Sequence, residues 1–170
     1  MQGWESKMQE KPKVYIDTSI LISPFVDRQK RASEVRSKLI RISNNYTIVI
    51  PQIVIGESIS VIIKKSGSKN SDILQEFINS ILNYITDDGK LPALNKEILK
   101  QAIKLKGLQE GYHELDVCDC LIIAHAIVDK EAKYLLTYGS ILENDVIMDY
   151  VKQTRQEYGY PPLIITDSLR

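Results

Sequence analysis

The sequence is poor in cysteine. Its 170 residues include two cysteines, Cys118 and Cys120, which lie two positions apart in a helical context and therefore point in different directions. They cannot easily form a disulfide, and no Cys/His spacing typical of a zinc site surrounds them. We therefore expect two free, buried thiols and a reducing compartment.

The chain also lacks a net charge and a long apolar run. Its 22 basic residues balance 22 acidic ones, which argues against a protein that binds any polyanion with its whole surface. A nucleic-acid contact therefore has to come from a local basic patch. No apolar segment is long enough to cross a membrane, and the N-terminus has no signal-peptide core. We expect a cytoplasmic protein.

What the chain does contain is β-branched runs that alternate with amphipathic helices. The length and the 44% of hydrophobic residues suit a single domain with a full core. The polar segment 1–12 is expected to be a flexible N-terminal tail. The predicted strands are 13–17, 46–50, 91–94, 133–137 and 163–165. With helices between them, these strands predict an α/β fold with a central parallel sheet flanked by helices.

Asp17 ends the first predicted strand, Val14-Tyr15-Ile16. In open α/β sheets, ligands bind outside the carboxyl ends of the strands, so this position favours a functional carboxylate. Thr18 or Ser19 can cap the helix that follows. The alternative interpretation is that Asp17 is only part of that cap.

Three further acids are expected at the same edge of the sheet. Glu57 lies near the start of an apolar helix after the second strand, and Asp119 lies near the start of the helix before strand 133–137. Asp116 is three residues before Asp119, so the two can share one helix face. Converging carboxylates repel each other, and Mg²⁺ or Mn²⁺, which prefer oxygen ligands, would relieve that repulsion. Alternatively, Asp116 and Asp119 only complement a helix dipole, an explanation that suits Glu57 less well.

A basic amphipathic helix is predicted over 27–44. Its polar face carries the basic residues Arg28, Lys30, Arg31, Arg36, Lys38 and Arg41. This face is either a solvated surface or part of a basic rim that meets substrate phosphates. The candidates for such a rim are Arg28, Lys30, Arg31, Lys64 and Lys65. His125 lies six residues after Asp119 and points away from that helix face, so a structural role is expected for it.

Four short stretches together resemble the PIN-domain family, and most closely its VapC-like toxin ribonucleases and their stand-alone prokaryotic relatives. They are Tyr15-Ile16-Asp17-Thr18-Ser19-Ile20-Leu21, Pro51-Gln52-Ile53-Val54-Ile55-Gly56-Glu57, Asp119-Cys120-Leu121-Ile122-Ile123-Ala124-His125-Ala126 and Lys133-Tyr134-Leu135-Leu136-Thr137. The run Leu163-Ile164-Ile165 is similar to the last strand of the family. The stretches occur in the family's order and span 13–166.

The resemblance implies a three-layer α/β/α sandwich, with residues 13–170 as a single PIN-like domain. It also implies a Mg²⁺- or Mn²⁺-dependent endoribonuclease that hydrolyses phosphodiester bonds of single-stranded RNA and leaves a 5′-phosphate and a 3′-hydroxyl. Asp17, Glu57 and Asp119 match the family's first three acids. Thr18 or Ser19, and Thr137, match the hydroxyl residues that recur beside its pocket. Toxin-like relatives imply an antitoxin protein and a homodimer as the expected partners.

The chain departs from the family pattern at the fourth acid. The family usually has an aspartate two residues after the threonine that ends this strand, whereas Gly139 occupies that position here. Candidates to replace it are Asp116, Glu143 and Asp145, of which Asp116 is best placed because it shares a helix face with Asp119. The departure leaves an alternative function: a catalytically impaired PIN-like module that binds RNA or a protein without cutting.

Overall fold

A computed structural model describes residues 11–26, 31–66, 70–82, 91–108 and 115–169. In these residues four parallel strands form one sheet, and their bounds are β1 Lys13–Ile16, β2 Thr47–Val49, β3 Ala132–Leu136 and β4 Ile164–Thr166. Their order across the sheet is β2-β1-β3-β4. The helices flank this sheet, which confirms the predicted α/β/α sandwich with a central parallel sheet.

Seven α-helices connect the strands in the described part of the chain. Their bounds are α1 Thr18–Val26, α2 Arg31–Asn45, α3 Gln52–Ser66, α4 Asn70–Leu82, α5 Lys96–Gly107, α6 Val117–Val128 and α7 Asp145–Glu157. A 3₁₀ turn over Ser140–Glu143 precedes α7. Helix α6 is apolar on all sides, and its residues 120–127 are all buried, so it lies inside the core rather than on the surface.

The register of the strands brings two site positions side by side. Ile16 of β1 pairs with Leu136 of β3, and Asp17 N–H donates to the Leu136 carbonyl oxygen at 3.0 Å. Thr137 N–H in turn donates to the Thr166 carbonyl oxygen at 3.0 Å. Because all four strands run in the same direction, their carboxyl ends meet at one edge of the sheet. Asp17 and Thr137 therefore follow neighbouring strands at that edge.

The predicted strand at 91–94 is wrong. These residues pair with no strand, and the described sheet has four strands rather than five. Pro92 has no N–H to give to a strand ladder. Its carbonyl oxygen accepts a hydrogen bond from Gln52 N at 3.2 Å, which fixes this segment at the start of α3. The apolar residues around Pro92 misled the prediction.

Some predicted features lie outside the described residues. They include residues 1–10 of the predicted tail, Arg28 and Lys30. Pro12 is described, and its carbonyl oxygen accepts a hydrogen bond from Thr47 N at 3.1 Å. Among the helices that the structure describes, none combines the length and the apolar character that a membrane span requires.

Arg155 of α7 is a buried cation that ties two loops together, and its exposed fraction is 1%. Its guanidinium donates to six carbonyl oxygens at the end of α6, in the loop that follows, at the first residue of β3 and in the loop before β4: Ala126, Ile127, Asp129, Lys130, Ala132 and Pro161. It also lies 5.3 Å from the centroid of the Tyr160 ring. Several carbonyl oxygens around one guanidinium replace the water that burial removes.

His125 should make the fold sensitive to acid. Its side chain is buried, its Nε2 has no partner among the described residues, and burial lowers the pKa of the imidazole to about 4. The unfolded chain binds that proton near pH 6.5, so the imidazole destabilises the folded state as the pH falls below that value. We expect a cost of about 2 kcal/mol at pH 5 and almost none at pH 7.5.

Urea unfolding of the wild type and of His125→Leu at both pH values measures this cost. The variant cannot take up the proton, so the difference in unfolding free energy between the two proteins should shift in its favour at pH 5. Other titrating groups are common to both proteins and cancel in that difference. A difference that is the same at pH 5 and pH 7.5 contradicts the prediction.

Candidate active site

Asp17 is held at the carboxyl end of β1 by two hydroxyl groups. Ser19 Oγ donates to Asp17 Oδ2 at 2.6 Å, and Thr137 Oγ1 donates to the same oxygen at 2.8 Å. Helix α1 begins at Thr18, and the Asp17 carbonyl oxygen accepts the first helical hydrogen bond, from Leu21 N at 3.1 Å. The predicted cap at Thr18 or Ser19 is therefore wrong, because Asp17 itself precedes the first helical residue. The described donors reach Oδ2, which leaves Oδ1 for a ligand.

Glu57 approaches the same edge from α3. Its Oε2 accepts a hydrogen bond from Thr18 Oγ1 at 2.5 Å, so the first residue of α1 orients an acid on another helix. Burial raises the pKa of Glu57, and the negative charges of Asp116 and Asp17 add to that increase, whereas the Thr18 hydrogen bond opposes it. The structure thus places Glu57 close enough to these two acids for their charges to repel.

Asp116 and Asp119 form a reciprocal cap at the start of α6. Asp116 Oδ1 accepts from Asp119 N at 2.8 Å, and Asp119 Oδ2 accepts from Asp116 N at 3.3 Å. Both acids lie at the start of α6, as the alternative that they complement the helix dipole also expects. Capping does not exhaust their role, because burial and then the charges of Asp116, Asp17 and Glu57 raise the pKa of Asp119 to about 7. A pure cap would have no reason to lie among three other carboxylates.

Cys118 is a neighbour of the acids that the sequence pattern did not indicate. Its Sγ, one carboxylate oxygen of Glu57 and one of Asp116 all lie within 4.8 Å of one another, close enough to share an ion. Both cysteines are free, as predicted, but Cys118 is half-buried whereas Cys120 is buried. Burial, followed by the negative charges of the surrounding carboxylates, raises the pKa of the Cys118 thiol to about 11. The thiol is therefore protonated at neutral pH.

The remaining candidates for the fourth acid do not reach this cluster in the described part of the chain. Glu143 and Asp145 are exposed, and neither is among the charges that raise the pKa of Asp119 or Glu57. Asp116 is among them. The arrangement therefore favours Asp116 over Glu143 and Asp145 as the substitute for the acid that is absent at Gly139.

The predicted basic rim is only partly described. Arg28 and Lys30 lie outside the described residues, as does the side chain of Arg31. Lys64 and Lys65 are exposed in the last turn of α3. Glu57 lies two helical turns before them on α3. The two lysines are therefore not immediate neighbours of Glu57 along the helix.

Comparison with known proteins identifies the family of this fold. A family model described as PIN domain matches residues 14–144, and the chain belongs to the PIN-domain family. Its fold is similar to that in the "Crystal structure of VapBC2 from Rickettsia felis bound to a DNA fragment from their promoter", with 19% identity, 90% of this chain and 96% of that chain covered, and a TM-score of 0.58. No curated protein matches the sequence.

The carboxylate oxygens of the site are donors of the kind that a hard divalent cation prefers, and those of Glu57 and Asp116 lie within ion-sharing distance of each other. PIN domains are in general nucleases that use divalent metal ions. Here each of the four acids has one oxygen hydrogen-bonded by the protein, through Thr18, through Ser19 and Thr137, or through the α6 cap. Burial and then the charges of Asp116, Asp17 and Glu57 raise the pKa of Asp119, so the carboxylates lie close enough to repel one another. Oxygen donors with excess negative charge fit Mg²⁺ or Mn²⁺.

Gly139 occupies a backbone conformation that excludes the family's usual aspartate. Its φ is 117° and its ψ is −146°, a region that is essentially restricted to glycine. No atom lies within 4 Å of the position of an added Cβ, so the obstacle is the backbone and not lack of space. We expect Gly139→Asp to lower the free energy of unfolding by about 1–3 kcal/mol.

Chemical denaturation tests this prediction, with Gly56→Ala as the matched control. Gly56 lies inside α3, where an added Cβ also meets no atom within 4 Å and where φ is ordinary for a helix. Alanine there should raise the free energy of unfolding by about 0.5–1 kcal/mol. If Gly139→Asp is as stable as the wild type, the backbone does not exclude an acid at this position.

Proposed function

We propose that this protein is a divalent-metal-dependent endoribonuclease that hydrolyses phosphodiester bonds in single-stranded RNA. The observation that carries the proposal is the meeting of Asp17, Glu57, Asp116 and Asp119 at the carboxyl edge of the sheet, where burial and then the neighbouring charges raise the pKa of Asp119 to about 7. Such a cluster destabilises the protein unless a cation binds there. Membership of a family of nucleases supports phosphodiester hydrolysis as the chemistry.

The side chains of the site have separate roles in this mechanism. Asp17 and Asp119, with Asp116, would hold the cation, and Glu57 would complete the site or orient the attacking water. A bound Mg²⁺ or Mn²⁺ supplies charge neutralisation at the phosphate and lowers the pKa of water. Ser19 and Thr137 both hold Asp17 Oδ2, so its carboxylate is oriented before substrate binds. Thr18 does the same for Glu57.

We further propose that the protein acts as the toxin of a toxin–antitoxin pair. The structure similar in fold is that of a VapBC2 complex bound to promoter DNA. This similarity supports an antitoxin protein as a partner, and the resemblance to toxin-like relatives implies a second copy of this chain as the other. A small open reading frame directly upstream of the gene, whose product co-purifies with this chain and lowers RNA cleavage, would support the pairing. The lack of any such product would contradict it.

An RNA cleavage time course tests the proposed activity. We expect wild-type protein to cut single-stranded RNA with Mn²⁺ or Mg²⁺ and to stop when a chelator is added. Asp17→Asn should reduce the rate about 100-fold or more, because even residues that only support a metal ligand contribute 10- to 100-fold. The cut ends should carry a 5′-phosphate. Cleavage that is indifferent to both the chelator and the substitution contradicts the proposal.

Gly139 favours one second candidate function, a module that binds RNA without cutting it. The family's fourth acid is absent at this position, and the backbone there is suited to glycine. This candidate would be supported over the nuclease if wild-type protein and Asp17→Asn both bind RNA and neither cuts it with Mn²⁺, with Mg²⁺ or with the chelator.

A further inference from the structure

The backbone of Tyr138 is held by the same hydroxyl group that orients Asp17. Tyr138 N donates to Ser19 Oγ at 3.0 Å, and Ser19 Oγ donates to Asp17 Oδ2 at 2.6 Å. The preceding residue, Thr137, donates to the same carboxylate oxygen. Tyr138 is half-buried against the core. Tyr138 therefore directly follows a residue that contacts Asp17.

A lysine lies beside this aromatic ring. Lys38 Nζ, from α2, is 5.5 Å from the centroid of the Tyr138 ring, and it donates to the carbonyl oxygen of Asp167. Lys38 also lines a cavity of about 310 Å³, together with Arg41, Ile42, Asn45, Tyr46 and Leu169. This cavity has two cations, an amide and a second aromatic ring. None of its described lining residues is acidic.

The negative charge of RNA requires a basic surface near the four carboxylates to hold the rest of the strand. The four carboxylates repel phosphates other than the one that a bound cation neutralises, so the rest of the strand has to be held elsewhere. The whole chain has no net charge and cannot supply this attraction. Proteins hold single strands by stacking bases on aromatic rings and by contacting phosphates with basic side chains. Tyr138 with Lys38 and Arg41 is such a combination.

We propose that Tyr138 stacks on a nucleobase next to the scissile phosphate, and that Lys38 and Arg41 contact the phosphates that follow along α2. This proposal rests on the proposed function, since the acids define where the scissile phosphate lies. Of the basic face predicted over 27–44 it uses Lys38 and Arg41, and it does not depend on the named rim candidates Arg28, Lys30, Arg31, Lys64 and Lys65. Lys38 connects the ring to the cavity because it contacts both.

Fluorescence anisotropy with a short fluorescein-labelled single-stranded RNA tests the proposal. The parent protein is Asp119→Asn, so that binding is measured without cleavage. We expect Tyr138→Leu to raise Kd about 5- to 100-fold through loss of stacking, and Tyr138→Phe, which keeps the ring, to stay within about twofold of the parent. Lys38→Gln should reduce the slope of log Kd against log salt by about 0.7, as for one lost phosphate contact.

Lys152→Gln is the matched control for charge. Lys152 is an exposed lysine of α7 that lines a different cavity, and its removal should leave the salt slope unchanged. The proposal is overturned if Tyr138→Leu and Lys38→Gln both bind like the parent, if Phe at position 138 binds as weakly as Leu, or if the parent binds no RNA. Lys38 is on the surface side of α2, so its variant keeps the test valid even where Tyr138→Leu unfolds. Failure of the nuclease proposal appears separately, in the cleavage assay.

Discussion

Asp119→Asn should abolish RNA cleavage and at the same time make the metal-free protein more stable. The substitution removes one charge from the cluster, and we expect cleavage to fall about 100-fold or more, as for the loss of a metal ligand. Asparagine keeps a side-chain oxygen that can still accept from Asp116 N, as Asp119 Oδ2 does at 3.3 Å. The loss of activity should therefore not come from unfolding of α6.

The gain in stability follows from the raised pKa of Asp119. The folded carboxyl group titrates at about 7, well above its ordinary value of 3.8, so the folded state pays for ionisation as the pH rises between these values. Above pH 7 the charged group destabilises the fold, and asparagine removes that effect. Because Asp119 is half-buried and partly screened by solvent, we expect about 1–2 kcal/mol at pH 8.

Urea unfolding at pH 8 and at pH 4 in a chelator measures this effect. The difference between variant and wild type should be largest at pH 8 and small at pH 4, where the wild-type carboxyl group is protonated. Asp149→Asn is the matched control. Asp149 is exposed on α7, so this substitution removes the same charge at a position outside the cluster. An Asp119→Asn protein that loses both activity and stability would indicate a structural cap only.

Arg155→Met should destabilise the protein by about 3–5 kcal/mol. The guanidinium donates to six carbonyl oxygens at the start of β3 and in the segments before β3 and β4, and methionine would leave these acceptors without their donor. Removal of one partner from a buried charged interaction is among the largest single-residue effects. Domains are commonly stable by only 5–15 kcal/mol, so this loss is a large fraction of the total.

Thermal and urea unfolding of three variants tests the role of Arg155. Arg155→Lys retains the charge but cannot reproduce the planar fork of donors, so it should lie between the wild type and Arg155→Met. Lys152→Met replaces an exposed cation of the same helix and should change stability by no more than about 0.5 kcal/mol. If Arg155→Met and Lys152→Met have the same small effect, the carbonyl contacts do not contribute measurably.

The fold was predictable where local pattern and burial agree. The strand before Asp17 and the helix after Asp116 are confirmed. Their β-branched and apolar residues favour a buried strand and a buried helix over other structures. The strand at 91–94 failed for the opposite reason: a short apolar run satisfied the pattern, and Pro92 decided against it. Arg155 could have been suspected, since it continues the buried spacing of Ile147 and Val151. Which carbonyls it reaches depends on two loops that sequence does not define.

The candidate site shows a similar division. The four acids could be named from the sequence because each lies near a strand end or a helix start. Their separations, and the presence of Cys118 among them, depend on how α3 and α6 pack, which no spacing along the chain encodes. The Lys38–Tyr138 contact joins residues a hundred positions apart for the same reason. The backbone at Gly139 shows in addition that an aspartate would be strained at this position, which the residue identity alone did not reveal.

Cation binding by the four carboxylates is the central requirement of the proposed activity. A titration of Mn²⁺ followed by electron paramagnetic resonance, in which free Mn²⁺ gives the signal, measures that binding without any RNA. We predict that wild-type protein removes Mn²⁺ signal in proportion to its concentration, that Mg²⁺ competes, and that Asp119→Asn weakens binding about tenfold or more. Equal binding by wild type and variant, or no binding by either, would contradict the assignment of this cluster as the catalytic metal site.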